Sequence, residues 1–467
     1  MILNNKYIYI GILALLYSCS VTKNHQRPET GLPEHFRSAS DSAEKDTSIL
    51  EIRDFFKNKE LLTLIDSAVA KNSELLIAVQ NIESASSVFR KTKLNYLPEL
   101  NAQLNAGSNT VSKNSLSGIT SEQFTLSRTL QDYSAGLNFS WEIDIWGKIK
   151  REKEEAYSVY LQSKEVKKAV QTRIVAEVAN AYYNLIMLDE QLKVAQKSKE
   201  LGEQTVEIMQ VQYQVGDVNQ LGMQQAKAQL ESITQLILRI EQDIVLQENA
   251  LNRLCGKFSG SIERSGQGEN EFAVQSMNYD IALLASRPDV LAAELQLKSA
   301  NARVGIEQAS MYPAITLSAG IGLNSLKASN WFSMPASIFY NFAGGITQPV
   351  FNRKRLKLAF EQAKIEREKA VILFRQSVVD AYGEVSDALQ KDQKLNQQYE
   401  SAERGEVLLK EGIESANVLY KNGLINYLEI ITAENNYLQS GLTRIQLRRE
   451  LSGARIELYR AIGGGWK

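Results

Sequence analysis

Histidine is nearly missing from this chain: of 467 residues only His25 and His35 are histidines, and both lie in a polar N-terminal stretch. The rest of the protein therefore lacks the usual general base, the commonest metal ligand and most nucleophile-activating arrangements. No catalytic residue and no metal site is assigned, and no enzymatic activity is expected. Cysteine is equally scarce. Cys19 and Cys255 form no disulfide framework, and Cys255, at the end of a helical pattern after Leu251 and Leu254, reads as a small buried hydrophobe. Charge is balanced at 53 basic against 54 acidic residues, which points away from a nucleic-acid partner. Only seven prolines occur, and they avoid residues 99–287 and 350–467. Since proline removes a backbone donor and clashes inside a helix, those stretches read as long helices.

What the chain does have begins at the N-terminus. Residues 7–17 form an apolar run behind Lys6, too short to span a bilayer but suited to a signal-peptide core. The run ends Leu16-Tyr17-Ser18-Cys19 and resembles a bacterial lipobox. Residues 1–18 are then the signal peptide, and Cys19 would carry diacylglycerol and an N-acyl chain. Several acyl chains hold a protein firmly, at about 0.8 kcal/mol per buried methylene. Residues 19–50, rich in Ser, Glu, Lys and Pro, read as an extended tether.

The body is built twice. Residues 72–107 align without gaps to 287–322, an offset of 215. Tyr96-Leu97-Pro98 falls on Met311-Tyr312-Pro313, and Gly107 on Gly322. Further on, Trp146-Gly147-Lys148 matches Phe351-Asn352-Arg353, and Tyr213-Gln214-Val215-Gly216 matches Tyr420-Lys421-Asn422-Gly423. The two repeats are 51–285 and 286–467. Each holds a helix, a strand pair and a long helical hairpin, with strands near 99–112, 132–146, 313–325 and 336–351 and hairpins near 148–255 and 353–462.

Those strands alternate with period two, as in Leu100, Ala102, Leu104 and Ala106 against Asn101, Gln103 and Asn105. Segments of roughly ten residues, apolar on one face and small or polar on the other, are the pattern of membrane barrel strands. A half-solvated soluble sheet alternates in the same way. Trp141, Trp146 and Trp331 lie on or beside the strands, which favours an interfacial aromatic girdle. The helical stretches 148–213 and 353–420 are each about 100 Å long at 1.5 Å per residue. Their return partners carry a coiled-coil stripe: Ala226, Leu230, Ile233, Ile237, Ile240, Ile244, Leu251 and Leu254, interrupted by Gln247, and then Leu428, Ile431, Leu438, Leu442 and Ile445. Gly216 and Gly423 suit the turns.

Four strands cannot close a barrel in lipid, where an open edge leaves backbone groups unsatisfied, and the smallest membrane barrels have eight. Strands must be pooled from several chains, with attached hairpins continuing the ring as a helical tube. Stoichiometry does not follow from this alone.

Arg287-Pro288-Asp289-Val290-Leu291-Ala292-Ala293-Glu294, Trp141-Glu142-Ile143-Asp144-Ile145-Trp146-Gly147-Lys148 and Gln348-Pro349-Val350-Phe351-Asn352 resemble signatures of the TolC family. The ending Gly463-Gly464-Gly465-Trp466 narrows the resemblance to outer-membrane lipoprotein subunits of resistance–nodulation–cell division (RND) pumps. It implies a mostly α protein with a membrane β-barrel: a homotrimer with a twelve-stranded barrel and a periplasmic helical tunnel. A mixed equatorial region would come from 51–70, 255–285 and the C-terminus. The implied role is the outer-membrane exit channel of a tripartite efflux pump, passing small toxic compounds outward. The implied partners are a periplasmic adaptor and an inner-membrane RND transporter. A type I protein-secretion duct keeps the fold with another cargo, and a periplasmic coiled-coil adaptor is the reading from another class.

By the same resemblance the hairpin tips form the gate and the adaptor-docking surface, with Gly216, Val218, Gly423 and Asn426 at the docking tip. Many relatives carry an acidic residue where this chain has Ile425. Leu424 and Ile425 read either as an apolar constriction that resists wetting or as packing of the turn, and Asp217 is the remaining acidic candidate. A basic collar opens both long helices: Lys148, Lys150 and Arg151, then Arg353, Lys354 and Arg355. Cations oppose the dipole at a helix N-terminus, so either lipid phosphate or bulk solvent must favour them.

Overall fold

The computed structural model describes residues 24–29, 31–33, 35, 36, 51–125, 127–216, 218–265, 272 and 279–466. Cys19, Asp217 and most of 266–278 lie outside the described residues. The chain runs α1 (Ile52–Phe55), α2 (Lys59–Lys71), α3 (Ser73–Leu94), β1 (Glu99–Thr110), α4 (Leu116–Thr125), β2 (Thr129–Ile143), α5 (Lys148–Val215) and α6 (Gln220–Leu254). After a 3₁₀ turn at Ile281–Ser286 come α7 (Pro288–Ala309), β3 (Ala314–Ser325), β4 (Ile338–Thr347), α8 (Arg355–Lys421) and α9 (Tyr427–Ala461). Packing divides it into two units: residues up to 28 with 83–161 and 294–372, and 29–82 with 162–293 and 373–467.

The first unit carries one four-stranded antiparallel sheet in the order β1-β2-β3-β4. Each repeat contributes a strand pair, and the copies meet along β2–β3. On one face Leu100, Phe139, Ala319 and Phe342 form a row, as do Ala102, Leu137, Ile321 and Tyr340. That face is bare: Leu104, Tyr340 and Phe342 are 72%, 85% and 76% exposed. A soluble sheet would bury such a face, whereas lipid matches it. The other face is polar, with Asn101, Asn138, Gly320 and Asn341 in register. β1 and β4 are the outer strands, each paired on one side only. No described helix is long and apolar enough to cross a membrane.

The tryptophans fix the ends of this sheet. Trp141 Nε1 donates to the Tyr96 carbonyl at 3.0 Å, and Trp146 Nε1 to the Pro313 carbonyl at 2.8 Å while its ring stacks on Tyr312. Both capture the helix-to-strand corners that the repeat alignment equates. Trp331 lies beyond the opposite end of the strands against Tyr133 and Phe332.

In the second unit an aromatic core joins Phe55, Phe56, Tyr182, Tyr183 and Tyr459 to Leu61, Ile65, Leu251 and Ile456. Phe55 stacks on Tyr459 with centroids 4.1 Å apart. Burial pushes the Tyr459 hydroxyl pKa well above its ordinary value. Cys255 is fully buried there, as the sequence suggests, with Sγ 3.5 Å from the Leu64 carbonyl. Arg264 closes the edge, donating to Asp189 at 2.6 and 2.9 Å and to Glu248. Three helices end alike. Gly256, Gly423 and Gly463 take positive φ, and the following N–H reaches back to the carbonyls of Asn252, Leu419 and Tyr459 respectively.

Several boundaries differ from the sequence reading. β2 starts at Thr129 because Thr129 still pairs with Thr110. It stops at Ile143 because Asp144 turns away to serve α5. A ten-residue helix, α4, sits in the connection between β1 and β2. The tether is not free where it is described. Asn24 Oδ1 accepts from Arg151 at 3.2 Å, and Arg27 pairs with Glu294. Phe36 is buried and stacks on Tyr382.

Candidate gate, docking tips and basic collar

Each helical hairpin turns through a glycine and restarts on an asparagine. Gly216 (φ 87°) and Gly423 (φ 72°) take the left-handed conformation that glycine adopts without a Cβ penalty. Asn219 accepts from Gly222 N–H at 3.0 Å, and Asn426 from Leu428 N–H at 2.9 Å, so Asn426 is a helix cap before it can be anything else. Val218 is half-buried against Met209, Met223 and Ala226, which reduces what it can offer a docking partner. Of the apolar pair, Leu424 is 70% exposed and Ile425 is half-buried.

Sequence reasoning missed the bonds that join the two tips. Tyr420 Oη donates to Gln212 Oε1, and Tyr427 Oη to Gln225 Oε1 at 2.7 Å. The Tyr427 ring lies over Gly222, where a Cβ would fall 2.6 Å from the ring. A glycine three residues after a helix cap was the available signal, because such a glycine marks a close approach.

Glu434 was missed as well. It falls in the gap of the second stripe, between Ile431 and Leu438, and accepts from Thr205 Oγ1 at 3.2 Å. Ser198, Gln229 and Tyr437 share its cleft, and none of the residues lining that cleft with it is charged. Burial raises its pKa, so the fold favours the protonated form. A raised carboxyl contributes stability below the ordinary glutamate value of 4.5 and loses it as pH rises through the folded value. Glu434→Gln should therefore melt above the parent at pH 8, and the gap should close towards pH 4. Circular dichroism melts at both pH values check this; a gap that widens on acidification contradicts it.

The basic collar separates into two kinds of residue. Asp144 accepts from the backbone N–H groups of Ile149 and Lys150 at 3.0 and 2.9 Å, so α5 has its own carboxylate at its N-terminus. Lys148 Nζ pairs with Glu142 at 3.0 Å. Arg151, expected from the sequence to face lipid phosphate or bulk solvent, is instead 7% exposed, paired with Glu154 at 2.6 Å and packed on Gly305. Burial and a carboxylate of its own chain overturn that assignment. Lys150 stays exposed. In the second copy Arg353 (φ 57°) and Lys354 (φ 62°) form a left-handed corner, which is why α8 starts at Arg355. All three of these side chains are exposed.

Known proteins agree with this architecture. Residues 64–257 and 282–464 each match the family described as outer membrane efflux protein, so the family pattern occurs once per repeat. The chain is 30% identical over 467 residues to the "Probable outer membrane lipoprotein SilC" of Salmonella typhimurium, covering 99% of both. It is 30% identical to the cation efflux system protein CusC of Escherichia coli (strain K12), covering 98% of this chain and 99% of that one. A crystal structure of CusC superposes with a TM-score of 0.86 at 28% identity, over 96% of this chain and 100% of the other. This chain belongs to the outer membrane efflux protein family. It is an outer-membrane exit channel of an efflux pump, with a barrel sheet and a periplasmic helical extension.

Proposed function

We propose that three copies of this chain form a passive duct, anchored by acylated Cys19 and closed at its periplasmic tips until an adaptor engages them. The observation that carries this is the sheet. Its apolar face is bare, and β1 and β4 each have an unpaired side, so only further copies can satisfy those edges in lipid. Three chains give twelve strands, and the hairpins continue the ring as a tunnel. Leu424 and Ile425 form the narrowing, and Asp217 is its acidic candidate. Gly216, Val218, Gly423 and Asn426 present the adaptor-docking surface. The pump below is an inner-membrane RND transporter, which selects cargo. The relative named for cation efflux makes small cations the first cargo to test. The exposed part of the collar (Lys150, Arg353, Lys354 and Arg355) meets lipid phosphate.

Planar-bilayer recording of the purified mature protein tests the duct, alongside an intact mass for an acylated Cys19 N-terminus and a solution mass for the trimer. Leu424→Ser with Ile425→Ser should raise single-channel conductance several-fold, because wetting an apolar constriction removes its barrier. Conductance equal to the parent would place the narrowing elsewhere.

A further inference from the structure

We propose that a groove between α3 and the start of α5 binds the phosphate headgroup of an outer-membrane phospholipid. This deepens the lipid-facing reading of the collar and rests on it, but the binding residues differ. The groove, of about 390 Å³, is lined by Phe89, Lys93, Tyr96, Lys150, Lys153 and Tyr157, together with Glu154. It lies wholly within the first unit. Its floor is aromatic: Phe89 packs on Tyr157 at 5.0 Å and on Tyr160 at 6.1 Å.

Charge decides what fits. Lys93, Lys150 and Lys153 are exposed, and no ion pair involves any of the three among the described residues. Lys93 Nζ is instead held 4.4 Å above the Phe89 ring. The one carboxylate on the wall, Glu154, is already taken by Arg151 at 2.6 Å. Glu152, the first acid of α5, accepts from the neutral amide of Asn95 at 3.1 Å and keeps its charge. Three exposed lysines therefore line a space whose one wall carboxylate is already paired, so its lining carries net positive charge. Such a site favours an anion with an apolar part to lay on Phe89 and Tyr157.

Position selects the source of that anion. Tyr96 is three residues before β1, and its carbonyl is tied to Trp141 of β2. The mouth of the groove thus lies at the helical end of barrel strands, where the inner-leaflet headgroups of the outer membrane lie. Phosphates on a lipid surface attract nearby lysines. The two cations nearest in sequence, Lys148 and Arg151, are neutralised within the chain, which leaves Lys150 as the collar residue that joins the site.

The test uses full-length protein in detergent with phosphatidylglycerol added, bound lipid being counted by native mass spectrometry. Replacing Lys93, Lys150 and Lys153 together with glutamine should cut retained lipid several-fold. Lys357→Gln, an exposed lysine on α8, should leave it unchanged. Equal retention by the triple variant overturns the proposal. So does full displacement by inorganic phosphate, which would mark a free-anion site, or loss of the oligomer, which would place the lysines against a second copy. Loss of conductance in the parent protein would instead sink the duct reading, so the two failures are distinct.

Discussion

Arg287→Ala should lower the unfolding temperature of the purified protein more than alanine at any other ion pair in the second unit. Arg287 is only 3% exposed, and its guanidinium serves four partners, the most distant being the Ala381 carbonyl at 3.5 Å. It holds Asp289 by two bonds at 3.0 and 2.7 Å, Glu384 at 2.7 Å, and the carbonyl of Ala461 at 2.7 Å. Ala461 is the last residue of α9, so this side chain ties the start of the second repeat to the end of its return helix. Burial by itself would raise the Asp289 carboxyl, but the hydrogen bonds and charge of Arg287 outweigh it and hold the pKa below its ordinary value. A lowered carboxyl contributes stability above its unfolded pKa and loses it as pH falls through the folded value, so the same link should loosen in acid. Removing one partner of a buried pair costs on the order of 3–5 kcal/mol. The low end applies, because Asp289 and Glu384 keep 46% and 37% exposure.

The repeat supplies an internal comparison. Asn72 occupies the equivalent position, and its Nδ2 donates to the carbonyl of Leu254, the last residue of α6, at 2.9 Å. Its Oδ1 accepts from Glu74 N–H at 2.9 Å as a helix cap. The tie is the same but no charge is buried, so Asn72→Ala should cost about 1 kcal/mol, as for loss of a cap. Thermal melts of both variants, with Arg287→Lys expected between parent and Arg287→Ala, decide the matter. Equal losses for Asn72→Ala and Arg287→Ala would mean that the buried charge contributes nothing.

Much of this was legible in sequence because period and repetition are local properties. The strand pairs, the two long helices and the glycine turns follow from alternation, absence of proline and the alignment at offset 215. What was not legible depends on partners distant in sequence. Arg151 looked like a surface cation because nothing local announces that Gly305 leaves room for it to lie buried. Asp144 was visible in the motif, but its role as the acceptor that makes a basic helix start tolerable appears only when the corner is folded. Glu434 looked like a break in a stripe, and only the arrival of Thr205 from α5 shows that it is half-buried against a partner. The tips were located correctly as turns, yet the Tyr420–Gln212 and Tyr427–Gln225 links could not be paired from one chain's pattern.

Gly322→Ala should abolish the inserted form, while Gly107→Ala should leave it intact, although the two glycines are equivalent in the repeat. The difference lies in where the copies join. Gly322 faces Gly136 across β2–β3, and a Cβ at 322 would sit 2.2 Å from the Ala135 carbonyl oxygen and 2.6 Å from Gly136 Cα. These are backbone atoms and cannot rotate away, so the ladder itself must part. A Cβ at Gly136 would meet the Ile321 carbonyl at 2.9 Å, so the approach is tight from both sides. The Phe339 ring covers both positions, at 2.9 and 3.4 Å from the built atoms, filling with one aromatic side chain the space two glycines leave. In the first copy the same position meets nothing closer than the Asp132 carbonyl at 3.9 Å, which is ordinary contact. β2–β3 is where the repeats are sewn together, and each backbone group left unpaired in lipid costs several kcal/mol. The whole sheet should therefore fail from one added methyl group at 322. The outer-membrane fraction of each variant, measured by heat-modifiable gel mobility and conductance, reads this directly. A Gly322→Ala protein that inserts and conducts like the parent would show that the β2–β3 seam yields where its geometry says it cannot.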